Sequence, residues 1–185
     1  GSYLPSGVVD NLKLSEKVDT SDEWITSRTG IKARRFANEK EATSDLAVRA
    51  AQNALIDAGL TAQDIDLIIV ATITPDMAFP STACLIQHKL GIPKVASFDI
   101  EAACSGFLYA LDVADGMLSS NRYKCALVVG AEKLSSIMDW EDRTTCVLFG
   151  DGAGAAILSN AGSGSQLIGF KSGADGSNPN LLYQP

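Results

Sequence analysis

Histidine and clustered cysteines are scarce in this chain. Its 185 residues include one histidine and four cysteines, and no two cysteines lie within a few residues of each other. A structural zinc site is built from about four Cys or His ligands at short spacings, so we expect no metal. The same dispersion argues against a disulfide framework. A reducing, cytoplasmic location is therefore expected.

Long apolar runs and an excess of positive charge are also missing. Runs such as residues 67–71 fall far short of the ~18–20 residues that a bilayer helix needs, so we expect no contact with a membrane. The net charge is −7, which argues against a nucleic-acid partner. The basic residues do cluster at Arg28, Lys32, Arg34 and Arg35. On charge alone this cluster fits either a local anion site or a solvated surface.

What is present is the composition of a globular domain, with 46% hydrophobic and 20% charged residues. Short buried strands alternate with segments whose apolar residues recur at helical spacing. The predicted strands are 66–72, 95–100, 124–130, 154–159 and 166–171, and the longer predicted helices are 44–58, 80–90 and 101–120. This alternation implies βαβ crossovers and a largely parallel sheet covered on both faces.

Capping residues predict where the helices begin and end. A polar N-cap satisfies free N–H groups, and a glycine after the last turn adopts the left-handed conformation that ends a helix. A first, short helix is expected to begin at a capping box formed by Thr20 and Glu23 and to stop at Gly30. A second is expected to begin at Thr43 or Ser44 and to stop at Gly59. A third is expected to have Pro80 in its first turn and to stop at Gly91.

Cys104 lies where the strand 95–100 gives way to the following helix. Backbone N–H groups and the positive end of a helix dipole favour a thiolate at such a junction and can stabilise the oxyanion of a reacting thioester. The alternative from local sequence is a packing cysteine in an Ala-rich helix. Cys125 and Cys146 lie in apolar runs, and we expect both to be buried hydrophobic residues.

The glycine-rich segment 149–156 partly matches a dinucleotide-binding fingerprint. That fingerprint requires a helix after the glycines, whereas Ala155 and its successors predict a strand, so a tight turn with close backbone packing is expected instead. His88, on the helix 80–90, is expected to be a partly exposed structural residue. No Ser-His-Asp arrangement surrounds it.

Several segments, in this order and spacing, together resemble β-ketoacyl-acyl carrier protein synthase III, a condensing-enzyme family of the thiolase superfamily. They are Thr20-Ser21-Asp22-Glu23-Trp24-Ile25, Arg28-Thr29-Gly30-Ile31, Ala78-Phe79-Pro80-Ser81, Ala102-Ala103-Cys104-Ser105-Gly106-Phe107, Asp142-Arg143 and Phe149-Gly150-Asp151-Gly152-Ala153-Gly154-Ala155. Individually these motifs are weak to moderate, and jointly they are specific. The resemblance covers essentially the whole chain.

The resemblance implies an α/β fold with thiolase-like αβαβα layers and a mixed, mostly parallel five-stranded sheet. Residues 1–185 would form the N-terminal thiolase-like domain of a longer protein, with the helix after Cys104 buried. The resemblance implies that an opening strand central to the sheet is missing from these residues, which predicts a gap between neighbouring strands. The family's catalytic His and Asn lie in a second half that these residues do not include, so we expect this segment alone to be inactive.

The implied activity is acyl transfer by decarboxylative Claisen condensation, which initiates fatty acid synthesis. An acyl-CoA primer acylates the cysteine, and malonyl-acyl carrier protein then condenses with the acyl group. The expected partners are acyl-CoA, malonyl-acyl carrier protein and a second identical subunit. No cofactor is implied beyond the CoA thioester as substrate. The alternatives are a related condensing enzyme of secondary metabolism, such as a chalcone synthase relative, and a non-catalytic CoA- or acyl-binding domain.

The resemblance also implies roles for single residues. Cys104 is the nucleophile, Trp24 and Arg143 sandwich the CoA adenine, Arg28 meets a CoA phosphate, and Thr20 lies near the same nucleotide. The acyl pocket is lined by Leu134 and Phe149 and, from the partner of a dimer, by Phe79. Apart from the resemblance, Trp24 also fits a half-buried helix aromatic, and Arg143 fits a surface salt bridge with Asp139 or Asp142.

Overall fold

A five-stranded sheet organises residues 1–161 and 164–184, the part of the chain that the computed structural model describes. Its strands are Ser2–Tyr3 (β1), Leu67–Ala71 (β4), Ala96–Ile100 (β5), Cys125–Lys133 (β6) and Asp151–Ser159 (β7). Gly7–Asp10 (β2) and Ala33–Phe36 (β3) form a separate antiparallel pair. The order across the large sheet is β1-β7-β6-β4-β5.

The directions of the strands confirm a mixed, mostly parallel sheet. β4 is parallel to both of its neighbours, β5 and β6, whereas β7 is antiparallel to β6 and to β1. Four strands therefore run one way and β7 runs the other. The expected gap between neighbouring strands is absent from the described residues, because β1 lies at an edge and pairs with β7 through Ser2 and Tyr3.

Helices cover both faces of the sheet, as the alternation of elements predicts. In the described residues they are Asn11–Ser15 (α1), Asp22–Thr29 (α2), Thr43–Ala58 (α3), Thr82–Lys89 (α4) and Gly106–Ser119 (α5). None of them is long and apolar enough to span a bilayer. β4 shows how the core is shared: Ile68 and Val70 pack with α3 and α4, and Leu67 and Ile69 pack with α5. Alternate side chains of a strand face opposite ways, and each fully buried one contributes roughly 1.5–3 kcal/mol.

α5 is buried on one face only within the described residues. Ala110, Ala114 and Leu118 recur at intervals of four and contact the sheet, whereas Leu108 is 61% exposed. The expectation that the helix after Cys104 is buried is confirmed for its sheet-facing side, and the opposite side is exposed in the described residues.

α3 has the apolar face that the sequence predicts, but its N-cap residue differs from the prediction. It ends before Gly59, whose φ of 65° is left-handed as expected. It begins at Thr43, with Ala42 in the cap position and the Asp45 carboxylate accepting the Ala42 N–H at 2.9 Å. Thr43 does not cap because its hydroxyl donates to the Thr74 carbonyl in the loop after β4.

The starts of α2 and α4 are each shifted from the prediction. Ser21, not Thr20, caps α2, because its hydroxyl accepts the Trp24 N–H at 3.1 Å. The stop at Gly30, with φ of 74°, is confirmed. Pro80 precedes α4 rather than lying in its first turn, since Ser81 is the N-cap and accepts the Cys84 N–H at 3.3 Å.

The region after β6 differs most from the prediction. The glycine-rich segment is not a tight turn, because β7 begins at Asp151 and includes Gly152. Close packing is nevertheless present: a Cβ on Gly152 would lie 3.1 Å from a methyl carbon of Leu4. Residues 166–171 were predicted to be a strand and form none. A strand needs a neighbour for its N–H and C=O groups, and none pairs with this segment in the described residues.

Candidate active site

Cys104 lies on a short turn between β5 and α5, as the sequence predicts. Residues 101–106, hereafter the cysteine turn, contain a 3₁₀ segment, Ala103–Ser105, and α5 begins at Gly106 rather than at the predicted Glu101. The turn is closed by the Ser105 N–H, which donates to the Ala102 carbonyl at 3.1 Å. Cys104 is exposed. The alternative of a buried packing cysteine is therefore wrong.

The backbone beside Cys104 is strained. Ala103 has a φ of 44°, in the left-handed region, which costs a residue with a Cβ about 1–2 kcal/mol. Such strain persists only where the surrounding structure holds it, and it is concentrated at functional sites. The turn that carries the thiol is thus kept in a conformation that a free peptide disfavours.

Close packing at Gly106 holds the cysteine turn against the sheet. A Cβ at Gly106 would lie 3.1 Å from the Cβ of Ala71, the last residue of β4. Such a distance is tighter than ordinary van der Waals contact. The absence of a side chain therefore lets the first turn of α5 sit directly on the end of β4.

The three candidate acyl-pocket residues lie at the same edge of the sheet as Cys104. Leu134 follows β6, and Phe79 lies in the loop after β4. Phe149 precedes β7, whose first residue, Asp151, pairs with Lys133 at the end of β6. Because the carboxyl ends of parallel strands share one edge, this edge gathers all four residues. Leu134 and Phe149 are half-buried, whereas Phe79 is 84% exposed.

Buried or half-buried carboxylates fix the loops of this edge, and sequence reasoning missed them. Asp99 on β5 accepts the N–H groups of Thr82 and Ala83 at 2.6 and 2.8 Å, and so holds the start of α4. Asp151 accepts the Ala37 N–H and both the N–H and hydroxyl of Ser135, at 2.6–2.8 Å. An acidic residue inside an apolar strand, as at Asp99, is the signal that points to such a role.

Two of the other cysteines differ sharply from Cys104. Cys125 and Cys146 are buried, as predicted. Burial, followed by the nearby Asp66 and Asp64, raises the pKa of the Cys125 thiol to about 11. Burial also raises the pKa of Cys146, with Asp142 as the next cause. A neutral, shielded thiol is a poor nucleophile, so these two cysteines are packing residues.

The structure brings together Trp24, Arg28 and Arg143, hereafter the tryptophan cluster. The guanidinium carbon of Arg28 lies 4.5 Å from the Trp24 ring centroid, and that of Arg143 lies 5.1 Å from it. Both distances fit cation–π contact. Trp24 is half-buried and packs with the apolar cluster around Ile25 and Cys146. The prediction that Trp24 is a half-buried aromatic residue on a helix is therefore confirmed.

Arg143 does not pair with Asp139 or Asp142. Its guanidinium donates to the Asp19 carbonyl at 2.9 Å and lies 3.7 Å from the Asp19 carboxylate. Asp142 instead accepts hydrogen bonds from Thr144 and Thr145, which lower the pKa of its carboxyl group. Asp19 precedes Thr20, whose hydroxyl is shielded from solvent and has no partner in the described residues.

Comparison with known proteins decides the family. The family model for 3-oxoacyl-[acyl-carrier-protein (ACP)] synthase III matches residues 98–176, which include Cys104 and the glycine-rich segment. Curated β-ketoacyl-[acyl-carrier-protein] synthases III from Neisseria gonorrhoeae and Caldanaerobacter subterraneus are 59% and 55% identical over 186 and 185 residues. Each alignment covers 100% of this chain. The chain belongs to the 3-oxoacyl-[acyl-carrier-protein] synthase III family.

Solved structures of the synthase III family agree with the described fold. The enzyme from Pseudomonas aeruginosa PAO1 matches with a TM-score of 0.93 and 41% identity, over 100% of this chain and 58% of the other. The thiolase-like α/β architecture is thereby confirmed. The chain spans 56–58% of the length of the two curated synthase III relatives named above.

Proposed function

We propose that this chain supplies the acyl-accepting cysteine and the CoA-binding surface of a β-ketoacyl-acyl carrier protein synthase III that initiates fatty acid synthesis. The observation that carries the proposal is the exposed Cys104, on a strained turn at the amino end of a 14-residue helix. Membership of the synthase III family supports the same reaction.

In the first half-reaction the Cys104 thiolate attacks the carbonyl carbon of an acyl-CoA. The tetrahedral oxyanion collapses, the bond to the CoA sulfur breaks, and CoA leaves as its thiol after taking up a proton. Cys104 lies just before the first turn of α5, whose free backbone N–H groups can stabilise the oxyanion. The product is an acyl thioester on Cys104.

In the second half-reaction malonyl-acyl carrier protein loses carbon dioxide, and the resulting carbanion attacks the acyl-enzyme carbonyl. Cys104 leaves as a thiolate, and 3-oxoacyl-acyl carrier protein is released. The His and Asn that support decarboxylation in this family have no counterpart that can be assigned within these residues. The complete reaction is therefore proposed for the full-length gene product, and this segment alone is expected to be inactive.

CoA recognition is proposed for the tryptophan cluster and Thr20. The adenine would stack between Trp24 and Arg143, Arg28 would contact a phosphate, and Thr20 would lie near the same nucleotide. A purine between two planes needs about 7 Å, which is two van der Waals contacts of about 3.5 Å. Arg143 must therefore move outward from its present 5.1 Å, and its exposed side chain allows this.

Dimerisation, the acyl pocket and the cytoplasmic setting complete the proposal. Phe79 is 84% exposed, which suits a side chain that enters the pocket of a second copy. Leu134 and Phe149 would line the pocket from the same chain. The thioester chemistry needs no cofactor or metal, and no contact with nucleic acid or membrane is proposed. The free, buried Cys125 and Cys146 suit a reducing cytoplasm.

The test is intact-protein mass spectrometry of the full-length gene product after incubation with acetyl-CoA. We expect one added acetyl group, located on Cys104 by peptide mapping and absent from Cys104→Ser. Cys84→Ser, which changes a half-buried cysteine outside the site, is the matched control and should acylate normally. A wild-type protein that binds CoA but never acylates would contradict the proposal and support a non-catalytic binding domain. Adding malonyl-acyl carrier protein then tests for a 3-oxoacyl product.

A further inference from the structure

We propose that Arg34 is a positioning residue, which joins α2 to residues 142–149 and thereby sets the separation of Trp24 and Arg143. The inference rests on the proposed CoA-binding role of the tryptophan cluster. The sequence places Arg34 in a basic cluster that fits either a local anion site or a solvated surface. The structure contradicts a solvated surface for this residue, because Arg34 is 7% exposed.

The guanidinium of Arg34 bonds to three acceptors on two segments of the chain, residues 9–11 and Val147. It donates to the Val9 carbonyl on β2 at 3.3 Å, to the Asn11 side-chain oxygen on α1 at 2.9 Å, and to the Val147 carbonyl at 3.2 Å. Val147 lies four residues after Arg143. One planar group therefore ties the segment that carries Arg143 to α1 and β2.

Asn11 extends the connection to both ends of α2. Its amide group donates at 2.8 Å to the Asp22 carboxylate in the first turn of α2 and at 2.8 Å to the Ile31 carbonyl just beyond the last turn. Asn11 is itself only 1% exposed. Trp24 and Arg28 lie between these two attachment points, so Arg34 and Asn11 together hold their helix against the segment of Arg143.

The electrostatics of Arg34 fit a bridging role better than an ion pair. None of the described carboxylates lies within 4.0 Å of it. Burial lowers the pKa of the guanidinium, although Cys146 and Asp10 partly oppose the effect. A buried cation without a carboxylate is costly unless several acceptors surround it. A guanidinium can reach three acceptors in its plane at once, whereas the single ammonium of lysine cannot.

The experiment compares Arg34→Lys with Arg35→Lys in the full-length gene product. Both substitutions keep the charge, but within the described residues the Arg35 side chain donates only to the Pro5 carbonyl, at 3.0 Å. Three quantities are measured: CoA affinity, acylation of Cys104 by acetyl-N-acetylcysteamine, which lacks the nucleotide, and acrylamide quenching of Trp24. The Trp24 contribution to fluorescence is the difference between each protein and the same protein carrying Trp24→Phe.

We expect Arg34→Lys to weaken CoA binding at least tenfold and to increase Trp24 quenching, because a lysine cannot bond all three acceptors and so cannot hold the two segments together. Acylation by the short thioester should stay within twofold of wild type, as should every readout of Arg35→Lys. CoA affinity and Trp24 quenching that match wild type would overturn the proposal. An equal loss of CoA binding and short-thioester acylation would also overturn it, since it would indicate general destabilisation.

A second variant covers the case in which Arg34→Lys does not fold. Asn11→Asp keeps an oxygen for Arg34 but replaces the amide donor with a carboxylate facing Asp22. It should also weaken CoA binding and preserve short-thioester acylation, and unchanged CoA affinity in it would overturn the proposal. If wild type binds no CoA, the proposed function fails, whereas the Trp24 quenching comparison still tests the positioning role of Arg34.

Discussion

The tryptophan cluster and the cysteine turn differ in how their functional side chains are held. Both guanidiniums of the tryptophan cluster already contact the Trp24 ring, and Arg143 is further held by Asp19. In the cysteine turn, by contrast, Cys104 is exposed, and its thiol makes no hydrogen bond to the described residues. The side chains of the recognition surface are thus already gathered around Trp24, although Arg143 must move outward to admit a base, whereas the reactive atom is left open.

The difference follows from what each region must do. A stacking surface gains affinity when its rings and cations are ordered before the ligand arrives, because less entropy is lost on binding. A nucleophile must instead keep its reactive face free of partners that would have to be displaced. The cysteine turn is therefore ordered through its backbone, by strain at Ala103 and close packing at Gly106, rather than through contacts to the thiol.

The largest expected effect is on chemistry alone. Cys104→Ser should lower the acylation rate by about 10⁴-fold or more, because a serine hydroxyl is a far weaker nucleophile than a thiolate. CoA affinity should stay within about twofold of wild type, since the tryptophan cluster is untouched. Single-turnover acylation and calorimetric titration measure the two quantities. A comparable loss of CoA affinity would show that the two regions are not separable.

The converse substitution should affect recognition alone. Trp24→Ala removes the stacking surface, which is worth about 1–3 kcal/mol, so CoA binding should weaken roughly 5- to 150-fold. Acylation of Cys104 by acetyl-N-acetylcysteamine should be unchanged. Trp140→Phe is the control, because Trp140 packs edge-on against Phe36, and the cation–π contact of Arg143 in the described residues is with Trp24. A Trp24→Ala protein that binds CoA as tightly as wild type would contradict the assignment of CoA recognition to the tryptophan cluster.

A smaller change should act on the backbone of the cysteine turn. Gly106→Ala places a methyl group 3.1 Å from the Ala71 Cβ, so it should cost about 1–3 kcal/mol and slow acylation of Cys104. Gly116→Ala in the same helix meets open space and should raise stability by about 0.5–1 kcal/mol. Urea unfolding and acylation rates check both. A stable, fully active Gly106→Ala would refute the packing argument.

The smallest effect concerns the thiols. In the folded protein iodoacetamide should modify Cys104 but not Cys146, which becomes reactive only in urea.

Because the pKa of Cys146 is raised, folding favours its neutral form. Its contribution to stability is thus fully present below about pH 8.5, the ordinary thiol value, and is lost at higher pH. The urea midpoint of wild type should therefore fall more steeply above that pH than that of Cys146→Ala.

Local patterns in the sequence were sufficient for the elements that carry the site. The run Leu67–Ala71 is apolar on both faces and forms a buried central strand. Gly30 and Gly59 end their helices because only the left-handed region, cheap for glycine, lets the chain turn there. The junction at Cys104 also followed from a strand and a helix meeting within a few residues.

Other features depend on which distant segments arrive beside a residue. Thr43 fits a cap by its type, yet it bonds the Thr74 carbonyl 31 residues away. Residues 166–171 have strand character, but no strand pairs with them in the described chain. Arg34 is charged, yet it is buried because acceptors from Val9, Asn11 and Val147 converge on it. No local pattern encodes such convergence.

By itself, then, the sequence determined the periodicity of the helices and strands, the glycine stops and the position of the nucleophile at a strand-to-helix junction. These depend on side-chain spacing and backbone sterics over a few residues. Only the tertiary structure decided that β1 lies at an edge, that Asp99 holds the start of α4, and that Arg34 joins the parts of the tryptophan cluster. Hydrogen bonds between distant segments satisfy buried polar groups only once the chain has folded around them.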